Sequence, residues 1–241
     1  EAKYLEEALS KDLEGLIIEP TKSALYSDNS AYYEALDIHR IPYIFIHGCY
    51  QHIKDKSYVI LDDAQGMYLA VNHLIQLGHK NIAGIFKADD MQGVNRHHGY
   101  VKALSEAGIP YDSNKVIWFH TEDRKVKPNT EIRNFINTGI SLDSIACYNY
   151  EIAFGIYQTL SELGVRVPED ISITGFDDSN LATACPVRLT TVTHPKEKLG
   201  EVAAELLLEL LKDPDYINNP RRKVFKPELV IGDSCSDRNK K

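Results

Sequence analysis

Ser144-Ile145-Ala146-Cys147-Tyr148-Asn149 and, further on, Ile171-Ser172-Ile173-Thr174-Gly175-Phe176-Asp177-Asp178 decide the fold. Each is a short apolar run that ends on polar side chains. Between them Ile152, Ile156, Leu160 and Leu163 recur on one stripe of a helix, Gly164 supplies the left-handed residue that closes it, and Pro168 bars continuation. Strands buried on both faces read as continuous apolar runs, and open α/β sheets bind ligands beyond the carboxyl ends of their strands. Asn149 and Asp177 are therefore expected to share a crevice.

The same phrase recurs outward from this stretch. Val71, Leu74, Ile75 and Leu77 lead through Gly78 to a strand at 82–86, which ends on Lys87, Asp89 and Asp90. Leu5, Ala8 and Leu9 precede Gly15 and a strand at 16–18 ending on Glu19. Strands at 43–46 and 59–61 end on His47 and on Asp62-Asp63. Near the carboxyl end Leu199, Val202, Ala203, Leu206, Leu207, Leu210 and Leu211 follow helical spacing, with Pro195 opening the helix and Pro214 closing the segment. Alternation of strands with helices predicts an α/β protein with parallel sheets flanked by helices.

Composition narrows the function. The 241 residues are 43% hydrophobic and 26% charged, which suits a globular chain with a sizeable core. Acidic residues outnumber basic ones 35 to 27, a net charge of −8, so phosphate backbones should be repelled rather than gripped. No apolar run approaches the ~20 residues that span a bilayer, and a cytoplasmic protein with no membrane partner is expected. Cys49, Cys147, Cys185 and Cys235 are widely separated and read as structural thiols. His47, Cys49 and His52 lack a second half with zinc spacing, so no metal is expected. There is no Gly-x-Gly, Walker loop, Gly-x-Ser-x-Gly or His-Glu-x-x-His motif, and no cofactor or catalytic residue is assigned.

What remains is a rim of strand-end polar groups: Glu19, His47, Asp62, Asp63, Lys87, Asp89, Asp90, Asn149, Asp177 and Asp178. Carboxylates and carboxamides grip neighbouring hydroxyls, so this acid-rich rim suits a neutral polyol better than a phosphate. A carboxylate at a strand end also caps the next helix, and for Asp63, Asp90 and Asp178 capping or structural bonding is the expected role. Arg96 precedes the stripe Tyr100, Val101, Leu104, in what reads as the first turn of a helix, where a cation needs an acid or a ligand to face it. A salt bridge and a ligand clamp would each explain it. His97 and His98 are expected to face core or solvent, and Trp118 to pack in the core.

The runs Glu14-Gly15-Leu16-Ile17-Ile18-Glu19-Pro20, Gly78-His79-Lys80-Asn81-Ile82, Arg96-His97-His98-Gly99-Tyr100, Val167-Pro168-Glu169-Asp170-Ile171-Ser172, Gly175-Phe176-Asp177-Asp178-Ser179 and Leu189-Thr190-Thr191-Val192 resemble, in order, the effector domain of LacI/GalR-type bacterial repressors. Glu19 to Leu25, Gly84 to Asp90 and His194-Pro195-Lys196 resemble the arabinose-responsive members most closely, in which a GntR-type winged helix precedes the effector domain. The resemblance implies a two-lobed, periplasmic-binding-protein-like fold, one lobe from 1–62 with 193–224 and the other from 63–192 with 225–236. It implies a sugar inducer, L-arabinose, in the cleft between lobes, a homodimer, and operator DNA reached only through an amino-terminal domain absent from this chain. By position, Arg96, Asn149 and Asp177 match the family's ligand-contacting residues, while His194, Glu19 and His47 match positions that vary with ligand. Two departures stand out. Tyr150 replaces the aspartate that usually follows the motif asparagine, and the strand, helix and strand that open such domains are expected to be missing before Glu1. An exported sugar-binding protein is the competing expectation. A glycoside-modifying enzyme drawing a carboxylate pair from Asp62, Asp89 and Asp177 is the third.

Overall fold

The structure, a computed structural model, describes all residues except 12, 27, 28, 54, 178–184 and 241. In chain order the elements are α1 (Ala2–Ser10), β1 (Leu16–Ile18), α2 (Ser30–Ile38), β2 (Tyr43–Ile46), β3 (Ser57–Leu61), α3 (Asp63–Gln76) and β4 (Ile82–Lys87). Next come α4 (Met91–Glu106), β5 (Val116–Phe119), α5 (Lys127–Asn137), β6 (Ser144–Cys147), α6 (Tyr150–Glu162) and β7 (Ser172–Phe176). The chain continues through β8 (Thr190–Val192), α7 (Lys196–Lys212), β9 (Arg222–Phe225) and β10 (Leu229–Val230). It divides into two compact units.

Unit 1 comprises Glu1–Leu61, Asp89–Gln92 and Pro195–Phe225. Its four strands run in the order β1-β2-β3-β9, every pair parallel. Helix α7 shows how sequence becomes packing here. Pro195 stands at its N-cap, and Leu199 and Ala203 bury completely against Ile44 and Val59 of the sheet, with Leu206 and Leu207 packed beside them. A buried leucine of this kind contributes about 2 kcal/mol, so Leu199→Ala would loosen the helix from the sheet. On the opposite side Tyr33, Tyr43, Phe45 and Tyr50 form an aromatic core with ring centroids 5.3 to 6.1 Å apart. Strand β9 carries Arg222 and Lys223 on an exposed edge, charges that discourage pairing with another chain.

Unit 2 comprises Asp62–Ala88, Gly93–His194 and Lys226–Lys241. Its six strands run β10-β8-β7-β6-β4-β5, parallel except for β10, which pairs antiparallel with β8 through Leu229 and Val192. Strands β6 and β7 are buried at every residue, as the continuous apolar runs required. The Asn149 side chain accepts the Ile152 N–H at 3.0 Å to start α6, and Gly164 follows the helix with φ +72°. Ile152, Ala153, Ile156 and Leu160 pack on Ile145 and Ile173. Among the described residues no helix is long and apolar enough to cross a membrane.

Helix α4 corrects one expectation. It begins at Met91, so Arg96 lies in its second turn rather than its first. The Met91 N–H finds its acceptor in the Ser23 hydroxyl at 3.0 Å, a partner 68 residues away that local sequence cannot reveal. Gly93 lets the first turn press on β4, since a Cβ there would come within 1.9 Å of the Lys87 carbonyl oxygen. Trp118 is half-buried beside His97 and Phe86, while His98 is exposed.

Candidate functional site

The carboxyl ends of β6 and β7 meet at one side chain. Arg96 is completely buried, and its guanidinium reaches three acceptors: Asp63 Oδ1 from Nε at 2.8 Å, the Tyr148 carbonyl from Nη1 at 2.7 Å, and Asp177 Oδ1 from Nη2 at 3.2 Å. It is also stacked, 3.7 Å from the Phe176 ring centroid and 4.6 Å from that of Tyr148. Tyr148 follows β6 and Phe176 ends β7, so the strand ends supply both the carbonyl and the rings. Of the two explanations open for this cation, the salt bridge is formed.

Asp177 is the part of the cluster that meets solvent, with 17% of its side chain exposed. Its Oδ1 also accepts the Nδ1–H of His194 at 2.7 Å, two residues beyond β8. The backbone of Asp177 is left-handed, φ +62°, and so is that of His47, φ +66°. Each is the first residue after its strand, and side chains held in this conformation cluster at functional sites. Asn149 is half-buried next to Tyr148, and its Oδ1 is engaged by the helix cap.

Thus Arg96, Asp177 and His194 are in direct contact, with Asn149 on the adjoining strand end. Glu19 and His47 belong to unit 1, exposed and half-buried respectively, at the ends of the neighbouring strands β1 and β2. Asp62, not Asp63, caps α3, accepting the Gln65 N–H at 2.9 Å. Asp63 takes the second of the two roles expected for it, structural bonding: it turns inward and pairs with Arg96. Asp178, expected as a cap, lies outside the described residues. Tyr150 is buried in the core of unit 2 instead of joining the rim.

One cation serves two carboxylates here, and the electrostatics follow. Burial pushes the Asp63 carboxyl up to about 6, against the attraction of Arg96, and the Asp177 charge adds to the push. Burial opposes the Arg96 charge as well, but Asp177 and Asp63 together hold its proton more tightly than usual. Among the described residues no group of three or more histidines, cysteines and acids is placed to hold a metal. Of the three carboxylates that could form a hydrolytic pair, Asp89 is completely buried, Asp62 is engaged by its cap, and Asp177 is bonded to Arg96 and His194.

The model of the periplasmic binding protein-like domain matches residues 71–235. The chain belongs to the periplasmic binding protein-like family. This periplasmic-binding-like chain is 38% identical over 239 residues to an arabinose metabolism transcriptional repressor of Geobacillus stearothermophilus, covering 98% of its own length and 65% of the repressor. To the protein of the same name from Halalkalibacterium halodurans it is 37% identical over 241 residues, covering 98% and 64%. It therefore spans a little under two thirds of the length of these relatives. A LacI family transcriptional regulator from Enterococcus faecium, solved with bound ribose, superposes with a TM-score of 0.83 at 28% identity, covering 98% of this chain and 84% of the regulator. The α/β, periplasmic-binding-protein-like fold expected from the sequence is the fold found.

Proposed function

We propose that this chain is the effector-binding part of a bacterial transcriptional repressor, that its effector is the sugar L-arabinose, and that sugar binding controls operator DNA through a domain outside this chain. The observation that carries the reading is the similarity to two arabinose repressors across 98% of the chain. The strand-end cluster supports it with suitable chemistry. Asp177, backed by Arg96 and His194, accepts hydroxyl protons from the sugar, and the Asn149 amide donates to a sugar oxygen. Glu19 and His47 are the proposed sugar contacts of unit 1. The two units act as the lobes of the effector domain, with Asp89–Gln92 joining the first lobe and Asp62 and His194 the second, where the sequence suggests bounds of 1–62 with 193–224 and 63–192 with 225–236.

The sugar acts by binding one conformation more tightly than another, because equal affinity for both would shift nothing. The repressor works as a cytoplasmic homodimer, since two DNA-binding domains on paired half-sites require a two-fold partner. No reaction is catalysed. Calorimetric titration of the protein containing this chain with L-arabinose, against D-ribose, D-xylose and D-galactose, tests the proposal. Saturable heat from arabinose is the expected result. A folded protein that gives no heat with any of the four would refute the sugar assignment, and heat from another sugar alone would replace arabinose.

A further inference from the structure

Asp63 is too buried to touch a ligand, yet it is bonded to the residue that holds Asp177. The rings of Tyr148 and Phe176 restrict the tilt of the Arg96 plane but leave it free to turn within that plane. That rotation is fixed by the three acceptors. One is a backbone carbonyl and one is Asp177 itself, so Asp63 is the side-chain anchor that is independent of the group being positioned.

The fold is built to bring Asp63 there. Helices α3 and α4 meet backbone to backbone: a Cβ on Gly99 would lie 2.0 Å from the Ala64 carbonyl oxygen. Ala64 directly follows Asp63, and Gly99 is one helical turn beyond Arg96, so this contact draws the two charged residues together. On the adjoining side of α3, a Cβ on Gly66 would strike the Phe176 ring at 2.6 Å, so the glycine admits the ring on which the guanidinium lies. With Asp62 taking the cap, Asp63 is released to face Arg96.

We infer that Asp63 is a positioning residue of the ligand site: through Arg96 it sets the orientation of Asp177 before any sugar arrives. This rests on the reading of Asp177 as the sugar's acceptor. The test uses the full protein and the variants Asp63→Ala, Asp63→Asn, Asp177→Asn and the double variant Asp63→Ala with Asp177→Asn, with L-arabinose affinity measured by calorimetry. Removing one member of a buried charged set should weaken binding at least about tenfold for Asp63→Ala, whereas Asp63→Asn, which keeps an oxygen for the Nε–H, should recover most of that and lose only about threefold. The double variant should bind no more weakly than Asp177→Asn alone.

A second readout needs no sugar. The Nδ1 proton of His194, bonded to Asp177, gives an NMR signal whose solvent exchange should quicken in Asp63→Ala and partly recover in Asp63→Asn. Lower thermal stability with unchanged affinity and unchanged His194 exchange would overturn the inference in favour of a purely structural role. If the parent protein binds no sugar, the functional reading fails and His194 exchange alone decides the positioning. If Asp63→Ala does not fold, Asp63→Asn decides, and its identity with the parent in both readouts would be fatal.

Discussion

The two ends of the sheet in unit 2 each bury a carboxylate, and they treat it in opposite ways. At the amino end, just before β6, Asp143 accepts the backbone N–H groups of Lys80 and Asn81 at 2.9 Å and faces His79 Nδ1 at 3.3 Å, while His79 Nε2 donates to the Ser236 carbonyl at 3.1 Å. Burial opposes its charge, but the His79 contact and the two backbone donors hold the carboxyl down to about 2. At the carboxyl end Asp63 has one guanidinium, shared with Asp177, and is pushed up to about 6. Burial is common to both, so it is the supply of donors per carboxylate that sets the sign. The amino end is a finished clasp on the carboxyl-terminal segment. At the carboxyl end one guanidinium is divided between two carboxylates.

The largest break in this contrast comes from Arg96→Leu. It leaves Asp63 and Asp177 as paired buried charges without a cation and should cost about 3–5 kcal/mol, read from urea unfolding. Asp143→Ala, which leaves two backbone N–H groups and the His79 contact without their acceptor, should cost about 2 kcal/mol and leave sugar affinity intact. The reverse ranking would mean that the carboxyl end is the better satisfied of the two.

The pH dependence sharpens the contrast. Asp63 has a folded pKa above its unfolded value of about 3.9, so its contribution is full below that value and is lost as pH rises through about 6. Asp143 runs the other way: its contribution is present above about 3.9 and is lost as pH falls toward about 2. Melting curves between pH 4 and 7 should therefore show the parent gaining about 2 kcal/mol on Asp63→Asn as the solution is acidified. Below pH 4 the parent should lose ground to Asp143→Asn.

Smaller effects probe the supports. Gly99→Ala forces the α3–α4 contact apart and should cost about 2 kcal/mol in urea unfolding, while weakening arabinose binding along with Asp63→Ala. Asn149→Ala removes the α6 cap and should cost about 1 kcal/mol of stability, with a further loss of sugar affinity read by calorimetry.

Much of unit 2 was legible because its signals are local. The stripe from Ile152 to Leu163, Gly164 and the runs ending at Asn149 and Asp177 each act within a few residues, and the structure returns them with small shifts. Strand β5 was not expected from the sequence, although Val116-Ile117-Trp118-Phe119 is continuously apolar. Strand β9 offered no apolar pattern, being exposed at Arg222, Lys223 and Val224. Strand-end logic expected Asn149 and Asp177 beyond neighbouring strands, and the structure sets them at the ends of β6 and β7, while the partner of Arg96 was left open. Its partners lie 33, 52 and 81 residues away, so nothing short-range names them. The Asp62-Asp63 doublet held the missing signal, since one helix start needs only one such cap.

The glycines that seat α3 differ in how they constrain the protein's history. At Gly66 the obstacle to a side chain is the ring of Phe176, which a smaller residue could relieve, so a second substitution can in principle rescue the first. That rescue would strip the face on which Arg96 lies. At Gly99 the obstacle is the carbonyl oxygen of Ala64, which no change of neighbouring side chain removes. Position 99 is thus closed to drift by any single compensating step, whereas position 66 stays open along a path that removes the ring beneath Arg96.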